Sequence, residues 1–132
     1  MKERLTVSYE NKPCYDIVLT NGFAELAEEL KERYQDKKLC IVTDTNVEPL
    51  YAAQVREALA PCFAAVEVFA FPAGEEHKTL EEVQKLYAFL IEHHFDRTDL
   101  LAALGGGVVG DMTGFAAAPY LRGVDFIQIP TT

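Results

Sequence analysis

The sequence predicts an α/β fold, a Rossmann-like and mainly parallel sheet with helices on both faces. Three observations carry this reading. Residues 39–43 (LCIVT) and 100–104 (LLAAL) are continuous apolar runs, as expected of strands covered on both sides. The segments between the strands repeat their apolar residues at helical spacing. A glycine-rich turn, residues 105–110 (GGGVVG), follows one of these strands and precedes a helix. Strands alternating with amphipathic helices mean βαβ units, whose right-handed crossovers place helices on both faces of the sheet.

The elements follow in order. Residues 5–9 and 15–19 read as short strands around a polar turn at residues 11–13. Phe23, Leu26, Ala27, Leu30 and Tyr34 then mark one helix face, with charges opposite. After the strand at 39–43, Thr45 and Glu48 stand at capping-box spacing and open a helix to about Leu59. Pro49 is accommodated there, because first-turn amides have no intrahelical acceptor. Residues 66–71 form the next strand. Thr79 and Glu82 make a second capping box, before a helix whose apolar positions include Leu80, Val83, Leu86, Tyr87, Leu90 and Ile91. Residues 100–104, a short helix near 111–118 and a strand at 125–129 complete the series.

The chain has 132 residues, 49% hydrophobic and 25% charged, and reads as one domain over residues 1–132. A chain of this size buries roughly two-thirds of its unfolded surface, enough for a core. No stretch approaches the roughly 20 apolar residues of a bilayer span, and the polar start lacks the apolar segment of a signal peptide. A cytoplasmic protein is expected, without membrane association. The net charge of −9 and the lack of a basic face argue against a nucleic-acid partner. Cys14, Cys40 and Cys62 are odd in number and widely spaced, which argues against disulfides and a thiolate metal site. His93 and His94 are adjacent, so on a helix they diverge and do not share one metal. No metal ligand set, Ser/His/Asp or Cys/His arrangement emerges.

In an open parallel sheet, ligands bind beyond the carboxyl ends of the strands. Those ends carry Asp44 to Asn46, Ala73 to Lys78, Gly105 to Asp111, and Thr131 with Thr132. Gly105, Gly106, Gly107, Val108, Val109 and Gly110 formally satisfy GxGxxG, a pattern that lets a phosphate approach the backbone amides at a helix start. The usual dinucleotide fingerprint lies on the first βα unit, with an acid at the end of the next strand. Asp125 instead begins its strand, so the arrangement is not the ordinary one. The alternative for the glycines is a tight turn with close helix–sheet packing. Asp44 is placed to accept ribose hydroxyls or to cap the following helix. Gly74, Glu75 and Lys78 offer a flexible turn, an acceptor and a cation, or else a charged surface loop. Asp111 reads as a helix cap or as a group orienting a cofactor amide or substrate hydroxyl. Arg122 is a donor for a substrate phosphate or a surface arginine. Catalytic acid–base groups are absent, and the pattern is that of a cofactor platform.

The run at residues 100–132, LLAALGGGVVGDMTGFAAAPYLRGVDFIQIPTT, resembles the signature stretch of 3-dehydroquinate synthases. Residues 74–78 (GEEHK) and 42–51 (VTDTNVEPLY) are similar to weaker motifs of that family. The resemblance implies the N-terminal domain of a two-domain enzyme dependent on NAD and on zinc or another divalent metal. Such an enzyme converts the sugar phosphate 3-deoxy-D-arabino-heptulosonate 7-phosphate to 3-dehydroquinate and phosphate in the shikimate pathway, with no net redox change. It implies Asp44, Asn46, Gly74, Glu75 and Lys78 on the adenosine side of NAD. Gly105, Gly106, Gly107, Val108 and Asp111 would hold its pyrophosphate and nicotinamide end, with Thr131 and Thr132 lining the cleft. Arg122 is implied to meet substrate phosphate across a homodimer interface. Pro119 departs from the family pattern of Ser or Thr. The metal ligands are expected in a C-terminal domain, so this chain is expected to be an inactive fragment. Another sugar-phosphate cyclase, a polyol dehydrogenase domain and a non-catalytic nucleotide-binding module are the other readings.

Overall fold

The computed structural model describes residues 2–20, 22–117 and 125–131. Pro119, Arg122 and Thr132 lie outside them. Two sheets are present among these residues. Strands β1 (Lys2–Tyr9) and β2 (Lys12–Thr20) form an antiparallel ribbon of their own. Its two-residue turn is Glu10–Asn11, both with positive φ (52° and 64°), as the tightest hairpin turns require. The turn thus falls one residue earlier than the sequence suggests, because Asn11 tolerates the left-handed conformation while Pro13 is already in the strand.

The second sheet contains β3 (Lys38–Asp44), β4 (Ala65–Phe71), β5 (Leu100–Gly105) and β6 (Asp125–Pro130), all parallel, in the order β4-β3-β5-β6. Helices α1 (Leu26–Leu30) and α2 (Ala53–Leu59) cover one face, and α3 (Leu80–Glu92) and α4 (Gly107–Ala117) the other. Strand alternation divides the core accordingly. Leu39, Ile41, Leu100, Ala102 and Leu104 pack with Val55 and Leu59. Cys40, Val42 and Leu101 pack with Leu86, Leu90, Met112 and Ala116. Burial raises the Cys40 thiol far above its ordinary range, with the Glu67 carboxylate adding to it, so it stays an inert hydrophobe.

Three local expectations are corrected. Phe23, Leu26, Ala27, Leu30 and Tyr34 do share the core side, but the helix is only Leu26–Leu30. Lys31 is extended and Glu32 left-handed (φ 68°), and these two residues end it. Thr45 and Glu48 make no capping box. The carboxylate of Asp44 instead fixes the turn before the helical segment, its Oδ1 accepting the amides of Asn46 (2.9 Å) and Val47 (2.8 Å), and no side chain caps the segment itself. The chain then enters α2 through a π turn, Glu48–Ala52. Helix α4 begins at Gly107, four residues before Asp111, so Asp111 lies in its second turn and is not its cap. The Thr79 cap is made, its hydroxyl accepting the Glu82 amide at 3.3 Å.

The glycines of α4 have a packing role. A Cβ on Gly114 would stand 3.2 Å from Phe126 and one on Gly110 3.3 Å from Gln128, so α4 lies close upon β6. At the opposite rim of the sheet, Asp99 is 4% exposed and accepts two backbone amides, Lys38 on Oδ1 and Asp96 on Oδ2, both at 2.8 Å. This carboxylate ties the start of β3 to the loop before β5. Leu86→Ala is expected to cost about 2–5 kcal/mol, read as a lower urea midpoint with unchanged slope. Asp99→Ala leaves two amides without an acceptor and is expected to cost about 1–3 kcal/mol. A midpoint unmoved by Asp99→Ala would mean that water replaces the carboxylate.

Candidate functional site

The strand order fixes where a site can form. From β3 the chain crosses to β4 on one side, and from β4 it returns to β5 on the other. Helix α2 follows β3 on one face and α4 follows β5 on the other. The carboxyl ends of β3 and β5 therefore part, which is the switch point where ligands bind in such sheets. The register shows the parting, since the β3–β5 ladder ends at Val42 opposite Ala103. Beyond it, the buried Thr43 hydroxyl donates to the Leu104 carbonyl at 2.7 Å, satisfying an acceptor that a neighbouring strand would otherwise serve. Thr43 was not singled out from the sequence. The signal is a hydroxyl at the end of an apolar run, where burial demands a partner.

Loops at this rim are bound to one another. The Thr45 amide donates to Phe71 O at 2.9 Å, and the Ala73 amide to Thr45 Oγ1 at 2.9 Å. This second bond is what occupies the hydroxyl expected to cap α2. The Thr131 amide donates to Gly105 O at 3.2 Å. Gly105 has φ 154°, and a Cβ there would lie 2.9 Å from Val109 Cγ2, so the turn into α4 excludes a side chain. Gly107 differs: nothing lies within 4 Å of where its Cβ would be. The first helical bond of α4 runs from the Gly110 amide to Gly106 O at 3.1 Å. The amides of Gly107, Val108 and Val109 precede it and have no intrahelical acceptor. The helix start thus offers donors, a positive dipole end and open space.

A cation is held at the second turn of the same helix. Gly74 (φ 117°) turns the chain into a short 3-10 segment, Glu75–His77. Lys78 follows, its Nζ 2.9 Å from Asp111 Oδ2 and 4.0 Å from Glu75 Oε1. The hydrogen bond to Asp111 and then its charge hold the Lys78 ammonium above the ordinary lysine range, with Glu75 adding to it. The pair borders a cavity of about 340 Å³ whose apolar wall includes Leu80, Val83, Met112 and Phe115.

Of the residues marked from the sequence, Glu75, Lys78 and Asp111 form one ion-pair cluster, and Gly105 and Thr131 are bonded. Asp44 and Asn46 meet each other at the end of β3. Asp44 is half-buried, and both of its bonds fall on Oδ1, within the turn that leads to the helical segment. Among the described residues, no group of three or more His, Cys, Asp or Glu side chains is placed to hold a metal ion. No helix there is long and apolar enough to cross a membrane.

The family model for the 3-dehydroquinate synthase N-terminal domain matches residues 68–132, which hold β5, the glycine turn and α4. The 3-dehydroquinate synthase of Latilactobacillus sakei subsp. sakei (strain 23K) is 48% identical over 119 residues, 89% of this chain and 34% of that enzyme. The chain belongs to the 3-dehydroquinate synthase N-terminal family. It spans about a third of the length of the curated relatives it matches. In the same family's fold, 2-deoxy-scyllo-inosose synthase, solved with carbaglucose-6-phosphate, NAD+ and Co2+, superposes with a TM-score of 0.85. It is 24% identical, over 99% of this chain and 35% of that one. The 2-epi-5-epi-valiolone synthase of Streptomyces hygroscopicus subsp. jinggangensis 5008, solved with NAD+ and Zn2+, gives a TM-score of 0.76. It is 28% identical, over 97% of this chain and 35% of that one.

The pairing of Lys78 with Asp111 has a measurable sign. A raised lysine value means that the pair contributes fully below the unfolded-state value and is lost as pH rises through the folded one. The pair is therefore intact throughout the neutral range. In a heteronuclear NMR titration, Lys78 is expected to titrate above a free lysine, and Asp111→Asn to bring it back down. An unshifted Lys78 in the parent chain would show that solvent breaks the pair.

Proposed function

We propose that this chain is the cofactor-binding portion of a cytoplasmic, homodimeric 3-dehydroquinate synthase. The enzyme converts 3-deoxy-D-arabino-heptulosonate 7-phosphate to 3-dehydroquinate and phosphate. The observation that carries the reading is the start of α4, where the first amides have no intrahelical acceptor and a Cβ on Gly107 would stand in open space, with the Lys78 ammonium held at Asp111 one turn further along. Those features suit the pyrophosphate of NAD in spite of a net charge of −9, because donors at contact distance outweigh charges spread over the surface.

Under this reading, Gly106, Gly107 and Val108 hold the pyrophosphate through backbone amides, and Gly105 keeps the turn tight. Lys78 adds a positive charge, and Asp111 and Glu75 position Lys78. Asp44 and Asn46 face the adenosine ribose, with Gly74 letting the loop approach. Thr131 and Thr132 line the nicotinamide side, and Arg122 meets the substrate phosphate. NAD supplies a reversible hydride acceptor, so that a hydroxyl oxidised early in the cycle is restored later. The zinc or other divalent metal is held by residues beyond this chain, in a C-terminal domain of the longer enzyme. The relatives solved with NAD+ and Co2+ or Zn2+ support this assignment. A second reading, another sugar-phosphate cyclase, is favoured by the 28% identity to the valiolone synthase. Phosphate release from the heptulosonate by the full-length enzyme separates the two.

Calorimetric titration of NAD into the chain tests the platform. Gly107→Glu places a carboxylate in open space at the helix start, where it favours the helix but opposes a phosphate. It is expected to weaken NAD binding by about tenfold or more, or about 1.4 kcal/mol, with the circular dichroism spectrum and thermal midpoint preserved. Equal affinity in the two proteins would overturn the placement of the pyrophosphate.

A further inference from the structure

Few polar side chains are buried in this domain. Among the described residues they belong to Thr43, Glu82, Asp99 and Thr113, and each has a hydrogen-bond partner. Glu82 and Thr113 bond within their own helices, to Lys85 Nζ at 3.0 Å and to Val109 O at 2.7 Å. Asp99 serves the opposite rim of the sheet. Thr43 differs from all three, because its bond crosses from β3 to β5 where the two strands part. A backbone ladder holds neighbouring strands at one spacing. At Thr43 a hydroxyl takes over from the ladder, so one side chain sets the gap there.

The candidate site lies on either side of that gap. Asp44 follows Thr43, its carboxylate held by the amides of Asn46 and Val47. Leu104 precedes Gly105, where a Cβ would stand 2.9 Å from Val109 Cγ2, so the turn into α4 has no slack. Gly105 O accepts the Thr131 amide, and Gly106 O the Gly110 amide. A shift of the Leu104 carbonyl is therefore carried to the start of α4. Thr43 and Leu104 are both fully buried, so loss of the hydroxyl leaves that carbonyl without a partner.

We propose that Thr43 is a positioning residue: its bond to Leu104 O sets the separation between Asp44 and the start of α4, and with it the affinity for a dinucleotide that touches both. The inference rests on the cofactor reading given above, with the ribose at Asp44 and the pyrophosphate at Gly107. Thr43→Val keeps the branched shape and removes only the donor, whereas Thr43→Ser keeps the donor. Calorimetry with NAD and native-state amide exchange on the full chain test it. Thr43→Val is expected to raise the NAD dissociation constant by about tenfold or more, and Thr43→Ser to stay within about threefold of the parent. Thr43→Val is also expected to speed exchange of the Thr131 amide more than that of the central β3 amides. Asp99→Ala loosens the far rim, and is expected to lower the urea midpoint while leaving NAD affinity within about threefold. Should Thr43→Val lose its circular dichroism spectrum, Thr43→Cys, a weak donor, carries the same test. Unchanged NAD binding by the variant lacking the hydroxyl, or an equal loss in Asp99→Ala, would overturn the proposal. No NAD binding by a folded parent chain would overturn the cofactor reading instead. The Thr131 exchange then decides the positioning role by itself, and an unchanged rate sinks it.

Discussion

Everything at the candidate site follows from a conflict of direction within the sheet. The chain leaves β3 toward one face and β5 toward the other, so two strands hydrogen-bonded along their first halves cannot stay together at their ends. Backbone groups left by the parting need partners, and the rim residues supply them. The Thr43 hydroxyl takes the Leu104 carbonyl, Asp44 takes two amides, and Thr45 takes the Ala73 amide. These bonds make a crevice of fixed shape out of what would otherwise be frayed strand ends. The donors left over stand at the start of α4, where a Cβ on Gly107 would meet nothing within 4 Å.

Electrostatics at this rim are local. The chain is strongly acidic, yet Lys78 is held at the crevice by Asp111, which lies 33 positions further along. The pair also sets the loop after β4 against α4, beside the packing of α3 on the same helix. Asp111 lies in the second turn of α4, not at its cap, and its carboxylate pairs with the lysine.

Much of the architecture was legible in the sequence because burial on both faces leaves so strong a mark. The runs at 39–43 and 100–104 read as strands covered on both faces, and β3 and β5 are the two central strands of the sheet. The carboxyl-end loops were legible for the same reason, once the strands were placed. What escaped was decided by competition between neighbours. Thr45 has cap spacing, but a carboxylate one residue earlier is the stronger acceptor and the hydroxyl is drawn to Ala73. Gly107 and Gly110 read as turn residues, yet both lie in α4, and a Cβ on Gly110 would press on the Gln128 side chain of β6 at 3.3 Å. The Lys78–Asp111 pair depends on the packing of α4 beside the 74–78 loop, and no local pattern encodes that distance. The short α1 ends on a left-handed glutamate, a conformation that nothing in its composition announces.

The two rims of the sheet carry different burdens. At the amino ends, Asp99 gathers the amides of Lys38 and Asp96, and the Lys38 ammonium reaches His94 O at 2.7 Å. The two bonds from Lys38 join segments distant in sequence, and none of the three has a part in the crevice. Foldability is thereby anchored at one end of the strands while recognition occupies the other. Sequence at the crevice is then free to diverge under selection for a new substrate without eroding the scaffold. The backbone itself recurs in the 2-epi-5-epi-valiolone synthase at 28% identity.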